Sequence, residues 1–451
     1  MIDFKALAES ITDELVARRR DLHQHPELAF EEVRTAGIVA EELTRLGLQV
    51  QTGVGRTGVV GLLEGAQDGP TVLYRADMDA LPILEENDVP YKSQSLYKMH
   101  ACGHDGHVSI ALGVAKIMAA QRESIAGRIK FVFQPGEEGA GGALAMIKDG
   151  VLDDPEPDVT LGLHIWNQLP LGVIGLAEGA TMSGSSTFKI LVRGKGGHAA
   201  MPHTTIDPVA CSGQLITALH TIVGRKMDAM AGAVILSVTG VKTSSYTHNI
   251  IPETVEITGT FRTFNAYTSE MLEQHVRDVS RSVCESVGCE ADVNVRHLTI
   301  PVVNHPEVVG RLRKAFAPIV GEKNINTTER TMASEDVAYM LDEIPGTYFF
   351  LGSANKEKGL AYGHHHPRFD FDESVLPLGV TLMCTAISEY VLIRETVTAS
   401  TEVPTVRVEP LTDDQAVMTQ RVQVHQTAHK DDDDRHITGS HRAVEFAEAN
   451  S

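Results

Sequence analysis

The 451-residue chain is short of aromatics (5%, with a single tryptophan), short of cysteine, and has no long apolar run. No apolar stretch approaches the roughly 18 residues that a spanning helix needs, so no membrane partner is expected. The opening "MIDFKALAES" lacks a basic segment followed by an apolar one, which argues against a secretory signal. Positive charge is also scarce: 39 Lys and Arg face 60 Asp and Glu, a formal net charge of -21. A surface of that sign repels phosphate, so no nucleic-acid partner is expected. The five cysteines, at 102, 211, 284, 289 and 384, are scattered and form no CxxC pair. A disulfide framework is therefore not expected, and a reducing cytoplasm suits the chain best. The glycine-rich "QPGEEGAGGA" is followed by no Gly-Lys-Ser/Thr, which excludes a P-loop.

What is present is an ordinary globular composition, 42% hydrophobic and 22% charged, on a chain long enough for two or three domains. Phe4, Leu7, Ile11, Leu15 and Leu22 stand at helical spacing and predict one amphipathic helix over 3–22. A second, through "EEVRTAGIVAEELTRLG", is stopped by Gly47. Short apolar runs then end in polar clusters. "TVLYRADMDA" ends in Asp77 and Asp79, "RIKFVFQPGEEG" in Glu137 and Glu138, and "DVTLGLHIW" in His164. "TYFFLGSAN" precedes "AYGHHHPRFDFDE", and helical stretches such as "GHVSIALGVAKIMAAQ" lie between the runs. This alternation predicts an α/β domain, a mostly parallel sheet with helices on both faces, whose ligands bind beyond the carboxyl ends of the strands.

From 183 to 296 the pattern changes to strand, helix, two strands, helix and strand. That is a βαββαβ order expected for an inserted ferredoxin-like α+β unit. Residues 1–182 and 297–395 then make up the main domain. From 396 to 451 no periodicity persists and four aspartates run together, the pattern of a flexible tail.

"MHACGHDGH" (99–107) concentrates thiol and imidazole, the donors that zinc and similar ions prefer. Cys102 and His104 alone could as well belong to a polar loop, and His164 to a hydrogen-bonded core. The convergence is what weighs: four strand ends supply Cys, His, Glu, His and His. Five donors exceed one tetrahedral structural zinc and suit two ions with open positions.

With "DLHQHPELAFEE", "RADMDALP", "QPGEEGAGGA", "LGLHIWNQLPLG", "GKGGHAAMPH", "THNIIPE", "MASEDVA" and "HHHPRFDFDE" in the same order, the chain resembles the aminoacylase and carboxypeptidase-G-type metallopeptidase family over about residues 10–392. It is most similar to the branch of hippurate hydrolases, auxin-conjugate hydrolases and N-acyl-amino-acid deacetylases. The resemblance implies a di-metal hydrolase domain with the insert acting as a lid and dimerisation domain, and hence a homodimer. It implies metal ligands Cys102, His104, Glu138, His164 and His365, the last chosen from three consecutive histidines, 364 to 366. Glu137 is the implied general base, and Asp79 a group orienting a ligand histidine. His198 is the implied oxyanion stabiliser, often reaching across from a partner subunit. Asn249 and Arg262 resemble residues that hold the substrate carboxylate, and Glu335 is expected to line the site. The cofactor implied is two divalent cations, zinc, manganese or cobalt. The expected reaction is hydrolysis of an N-acyl-L-amino acid to acid plus amino acid by metal-activated water. A dipeptidase or carboxypeptidase on the same scaffold, or an inactive metal-binding scaffold protein, are the alternatives.

Overall fold

The computed structural model describes residues 2–393, so the tail expected over 396–451 lies outside the described residues. The N-terminal run folds as two helices, α1 (Phe4–Ser10) and α2 (Thr12–Gln24), where one was expected. The break falls between two hydroxyl residues. Ser10 Oγ donates to Leu7 O and Thr12 Oγ1 to Glu9 O, taking carbonyls that a continuous helix would use. Helix α3 (Val33–Arg45) ends as expected: Gly47 adopts φ 78° and the Leu48 N–H returns to Leu43 O.

Strands β1 (Gln49–Val54), β2 (Gly58–Glu64) and β3 (Gln67–Asp77) lead to helix α4 (His104–Ala120). Strand β4 (Ala126–Gln134), helix α5 (Gly142–Lys148), and strands β5 (Val159–Pro170), β6 (Ile174–Gly175) and β7 (Gly179–Met182) follow. The inserted segment contains β8 (Gly184–Arg193), β9 (Gly197–His198), α6 (Pro208–Arg225), β10 (Ile235–Thr243), β11 (Ile250–Ile251), β12 (Thr254–Thr263), α7 (Ala266–Ser286) and β13 (Glu290–Thr299). The chain then returns through β14 (Val302–Asn304), α8 (Pro306–Val320), β15 (Ile325–Asn326), α9 (Ala338–Glu343), β16 (Gly346–Ala354) and α10 (Val375–Val391).

The main sheet has eight strands in the order β1-β2-β4-β3-β5-β16-β6-β15. Its centre is parallel, β4 with β3, β3 with β5 and β5 with β16, while β1, β2 and β6 add antiparallel pairs. Alternation along β3 shows why both faces are covered. Val72, Tyr74 and Ala76 join a core with residues of α1 to α4, α8 and α10. Leu73 points the other way, into a cluster with Met146 of α5 and Met340 of α9. Helices on both faces of a mainly parallel sheet are what the alternating sequence pattern called for.

One strand runs further than expected. His164 lies inside β5, not at its end, because β16 continues the pairing beyond it, Phe350 opposite His164, as far as Pro170. The ladder between β3 and β5 does stop nearby, at Arg75 opposite Gly162, so His164 still stands at the carboxyl edge of the parallel centre.

In the inserted segment the four strands are antiparallel in the order β10-β12-β8-β13, with α6 and α7 packed on one face around Phe188, Ile190, Ile257, Phe261 and Leu272. With the chain order β8-α6-β10-β12-α7-β13, this is the arrangement of a ferredoxin-like sandwich. All five cysteines are free and buried. Among the described residues no helix is long and apolar enough to cross a membrane.

Candidate metal centre and its neighbouring carboxylate

The centre is assembled from the loops that follow β3, β4 and β16, from the start of α4, and from β5. Gly103, at φ 90°, turns the chain into α4 so that Cys102 precedes the helix and His104 opens it. His104 Nδ1 donates to the Asp79 carbonyl at 2.8 Å, which leaves Nε2 facing inward, buried and without a hydrogen-bond partner. His164 Nδ1 donates to the Ile165 carbonyl, so its Nε2 points to Cys102 Sγ 3.6 Å away. Cys102, His104 and His164 thus present ligand atoms within 4.8 Å of one another. A second group, Cys102, Glu138 and His365, does the same, and the two share the cysteine. His365 Nε2 stands 3.2 Å from Glu138 Oε1, an oxygen that is also buried and without a hydrogen-bond partner.

These residues fit a two-cation centre. The donors are a thiol, imidazoles and a carboxylate, two of their atoms lack any other use, and one donor belongs to both groups. The electrostatics agree. Burial pushes the Cys102 thiol up, helped by the carboxylates of Glu138 and Glu137, a cost that a neighbouring cation would reverse. Burial alone would lower His104, but Asp77 and Asp79 outweigh it and raise the imidazole to about 10.

Among the three consecutive histidines, only His365 offers a ring nitrogen to a ligand group, while His364 packs its ring edge-on against His164 at 5.0 Å. His364 is half-buried between Trp166 and Phe369, at 4.6 and 4.9 Å between ring centres, and its Nε2 accepts from the Asn167 N–H. Burial pushes its pKa down to about 3. His366 stacks on Tyr362.

Glu137 lies beside the candidate ligands, grouped with His104 and Glu138 on one side and with Glu335 and Asp336 on the other. Burial and the carboxylates of Glu335 and Glu138 push its pKa well above the usual range. Asp79 Oδ2 accepts the Glu138 N–H at 2.9 Å, so it fixes the turn that carries Glu138 while the Asp79 carbonyl holds His104. Glu335 is buried with both oxygens engaged, Oε1 by Arg75 and Oε2 by the Tyr348 hydroxyl. It therefore backs Glu137 and presents no free oxygen. Arg262, on the face of β12 opposite the helices, donates to Ser334 Oγ at 2.8 Å, next to Glu335. His198 and Asn249 sit on neighbouring strands β9 and β11 and their connection, joined by the Ala199 N–H to Asn249 O, and both are exposed. Among the described residues neither bonds to the cluster.

Several supporting residues escaped the sequence reading. His107, in the same nine-residue stretch, donates from Nδ1 to Asp77 and accepts the Ile165 N–H at Nε2, so both its nitrogens are committed and it locks β5 to α4. Buried Arg75 joins Asp77, Glu335 and Asp336. Arg19, on α2, bridges Asp105, the neighbour of His104, and Asp370, beyond His365; His23 also bonds Asp105. A signal for Arg19 did exist: it stands four residues after Leu15 and three before Leu22, on the apolar face of its helix.

Known proteins resemble this chain closely. The family model described as peptidase family M20/M25/M40 matches residues 73–389. Thermostable carboxypeptidase 1 of Saccharolobus solfataricus is 40% identical over 82% of the chain and 93% of its own length. The IAA-amino acid hydrolase ILR1-like 5 of Arabidopsis thaliana is 36% identical over 86% of the chain and 90% of its own. Among solved structures, the Bacillus subtilis YXEP protein, described as a dinuclear metal binding peptidase from the M20 family, is 30% identical with a TM-score of 0.73, covering 84% of this chain and 98% of that one.

Proposed function

The chain belongs to peptidase family M20/M25/M40, whose members hydrolyse amide bonds, and on that premise we propose that it cleaves N-acyl-L-amino acids to an acid and an amino acid. The observation that carries the reading is Glu137: a buried carboxyl of raised proton affinity, beside two ligand groups that share Cys102. Two divalent cations held by Cys102, His104, Glu138, His164 and His365 would polarise the scissile carbonyl and make the attacking water acidic. Glu137 accepts the proton of that water and returns it to the leaving amine, a role for which a carboxyl of raised pKa is suited. The ligands themselves are held in place by the Asp79 carbonyl behind His104 and the Asp79 carboxylate behind Glu138.

Arg262 and Asn249 hold the carboxylate of the amino-acid half, for which a guanidinium fork is well shaped. His198 stabilises the oxyanion of a neighbouring subunit's substrate. Its exposure, and its separation from the metal ligands of its own chain, support that assignment. A homodimer joined through the inserted segment follows. The edge strand β10 and the turns near it expose Val241, Tyr246 and Ile250, which favours such pairing. Five free thiols suit a reducing compartment, the cytoplasm. A carboxypeptidase is the second reading, favoured by the 40% identity with a relative of that name.

The deciding measurement combines metal content with turnover. Protein stripped by a chelator and reloaded with zinc, manganese or cobalt is assayed on N-acetyl-amino acids, hippurate, an indoleacetyl-amino acid and a dipeptide. Activity should vanish and return with about two ions per chain, on the acylated substrates in preference to the dipeptide. Dipeptide turnover alone would favour the carboxypeptidase, and no turnover with any ion would leave a metal-binding scaffold. Glu137→Gln should lower kcat at least about 100-fold while metal content holds; unchanged turnover removes Glu137 as the base.

A further inference from the structure

The motif "DLHQHPELAFEE" supplies nothing to the reaction above, yet its end reaches the loop that carries Glu137. We propose that Glu32, together with the stacked pair Phe30 and Arg56, is a positioning device for the Gly136–Glu138 turn and sets the aim of the general base. The inference rests on the hydrolase reading.

Glu32 is fully buried. Its Oε1 accepts two backbone N–H groups, of Phe30 and of Gly136, each at 2.9 Å, and its Oε2 accepts the Thr57 hydroxyl at 2.5 Å. One carboxylate thus ties together the approach to α3, the turn between β1 and β2, and the turn that presents Glu137. A buried acceptor of three bonds is expensive to remove, because each donor is left unpaired.

Phe30 and Arg56 take left-handed backbone conformations, φ 63° and 80°, that side-chain-bearing residues avoid. They meet each other, with the Arg56 guanidinium 4.3 Å over the Phe30 ring. The ring in turn packs on Gly136, itself at φ 60°, where a Cβ would stand 3.1 Å from the ring edge. Strained residues gathered on a single contact persist only where the surroundings over-determine them, and such places are functional. From the other side Asp79 holds the Glu138 N–H. The residues on either side of Glu137 are therefore each pinned through their N–H to a buried carboxylate, while the Glu137 carboxyl stays free to move a proton. Glu32 touches no substrate and acts through the turn alone.

The test compares E32A with E32Q. The glutamine keeps Oε1 for both N–H groups and turns its amide toward Thr57, whose hydroxyl can rotate to accept. In metal-loaded protein, well below the melting temperature of every variant, E32A should lose about 100-fold in kcat with KM and bound metal unchanged. E32Q should recover most of the loss. Hydrogen exchange at the Gly136 amide should quicken in E32A and stay slow in E32Q. Unchanged kcat per folded molecule in E32A, or equal losses in both variants, would overturn the device. If the wild type turns over none of the panel, the hydrolase reading fails by itself. The exchange rates then decide: faster exchange in E32A supports the clamp, and unchanged exchange overturns it. Should E32A not fold, Thr57→Val removes one bond at constant volume. A several-fold loss of kcat at constant KM supports the proposal, and an unchanged kcat overturns it.

Discussion

His364, His365 and His366 have the same side chain and three different surroundings. His364 is an aromatic plate between Trp166 and Phe369, His366 leans on Tyr362 at the surface, and His365, at φ 65°, alone turns its Nε2 to Glu138. Their variants should therefore separate. H365A should weaken metal binding at least about 100-fold and leave the urea midpoint of the metal-free protein near wild type. H364A should cost about 3 kcal/mol of stability through the cavity it opens, read from the same urea curves. The abrupt change from apolar to polar at the ends of β3 and β4 drew attention to Asp77 and Glu138, whereas Cys102 and His104 stood out by residue type alone and lie at the start of α4. The choice among three histidines was not legible from composition, since it depends on one backbone angle. Glu32, Arg75 and Asp336 were invisible for a related reason: much of what each holds lies 59 to more than 250 positions away, in part at backbone N–H groups that carry no sequence signature.

At the scale of elements, period-2 and period-3.6 patterns located the central strands and the long helices, because burial on one or two faces enforces them. They did not locate β6, β7, β14 or β15, two to four residues each: β6 and β15 only extend the edge of a sheet already there, and β7 and β14 pair with each other alone. Nor did they show the break in the first helix, decided by two hydroxyls. Helix α10 illustrates how an element is secured by charge outside it. Asp372, three residues before α10, accepts from Ser374, Asn355 and Lys358. Burial pushes its carboxyl up, but those donors prevail and hold it at about 2. A carboxyl depressed in the folded state adds stability above its unfolded pKa of about 3.9 and loses it as the pH falls toward the folded value. D372N should accordingly be less stable than wild type at pH 7, and the gap in urea midpoint should narrow between pH 4 and pH 2. A gap independent of pH would show that the charge contributes nothing.

For the whole molecule, the α/β domain and the insert were both readable, since a change of periodicity marks where one layer pattern gives way to another. What no pattern could show is how the insert's residues stand toward the cluster. Arg262 reaches the cluster's edge, whereas His198 and Asn249 face solvent. Co-expression of H198A and E137Q chains tests whether sites are shared. Each variant alone should be nearly inactive. If His198 serves the neighbouring subunit, half the dimers are mixed and each restores one of two sites, about a quarter of wild-type activity in all. No recovery would confine each site to its own chain.

Strands β7 and β14 are the two crossings between the α/β domain and the insert, and they pair antiparallel with Met182 opposite Val302. The points of departure and return therefore lie about 5 Å apart, the separation a two-residue hairpin turn spans. The chain thus enters and leaves the insert through one two-stranded ribbon, and Arg262 reaches back from the insert to Ser334. Joining Met182 to Val302 through Asn-Gly would leave every proposed metal ligand, Glu137 and the Glu32 clamp on one continuous chain. Whatever chemistry survived in that shortened protein would measure what the metal-side residues accomplish without a lid.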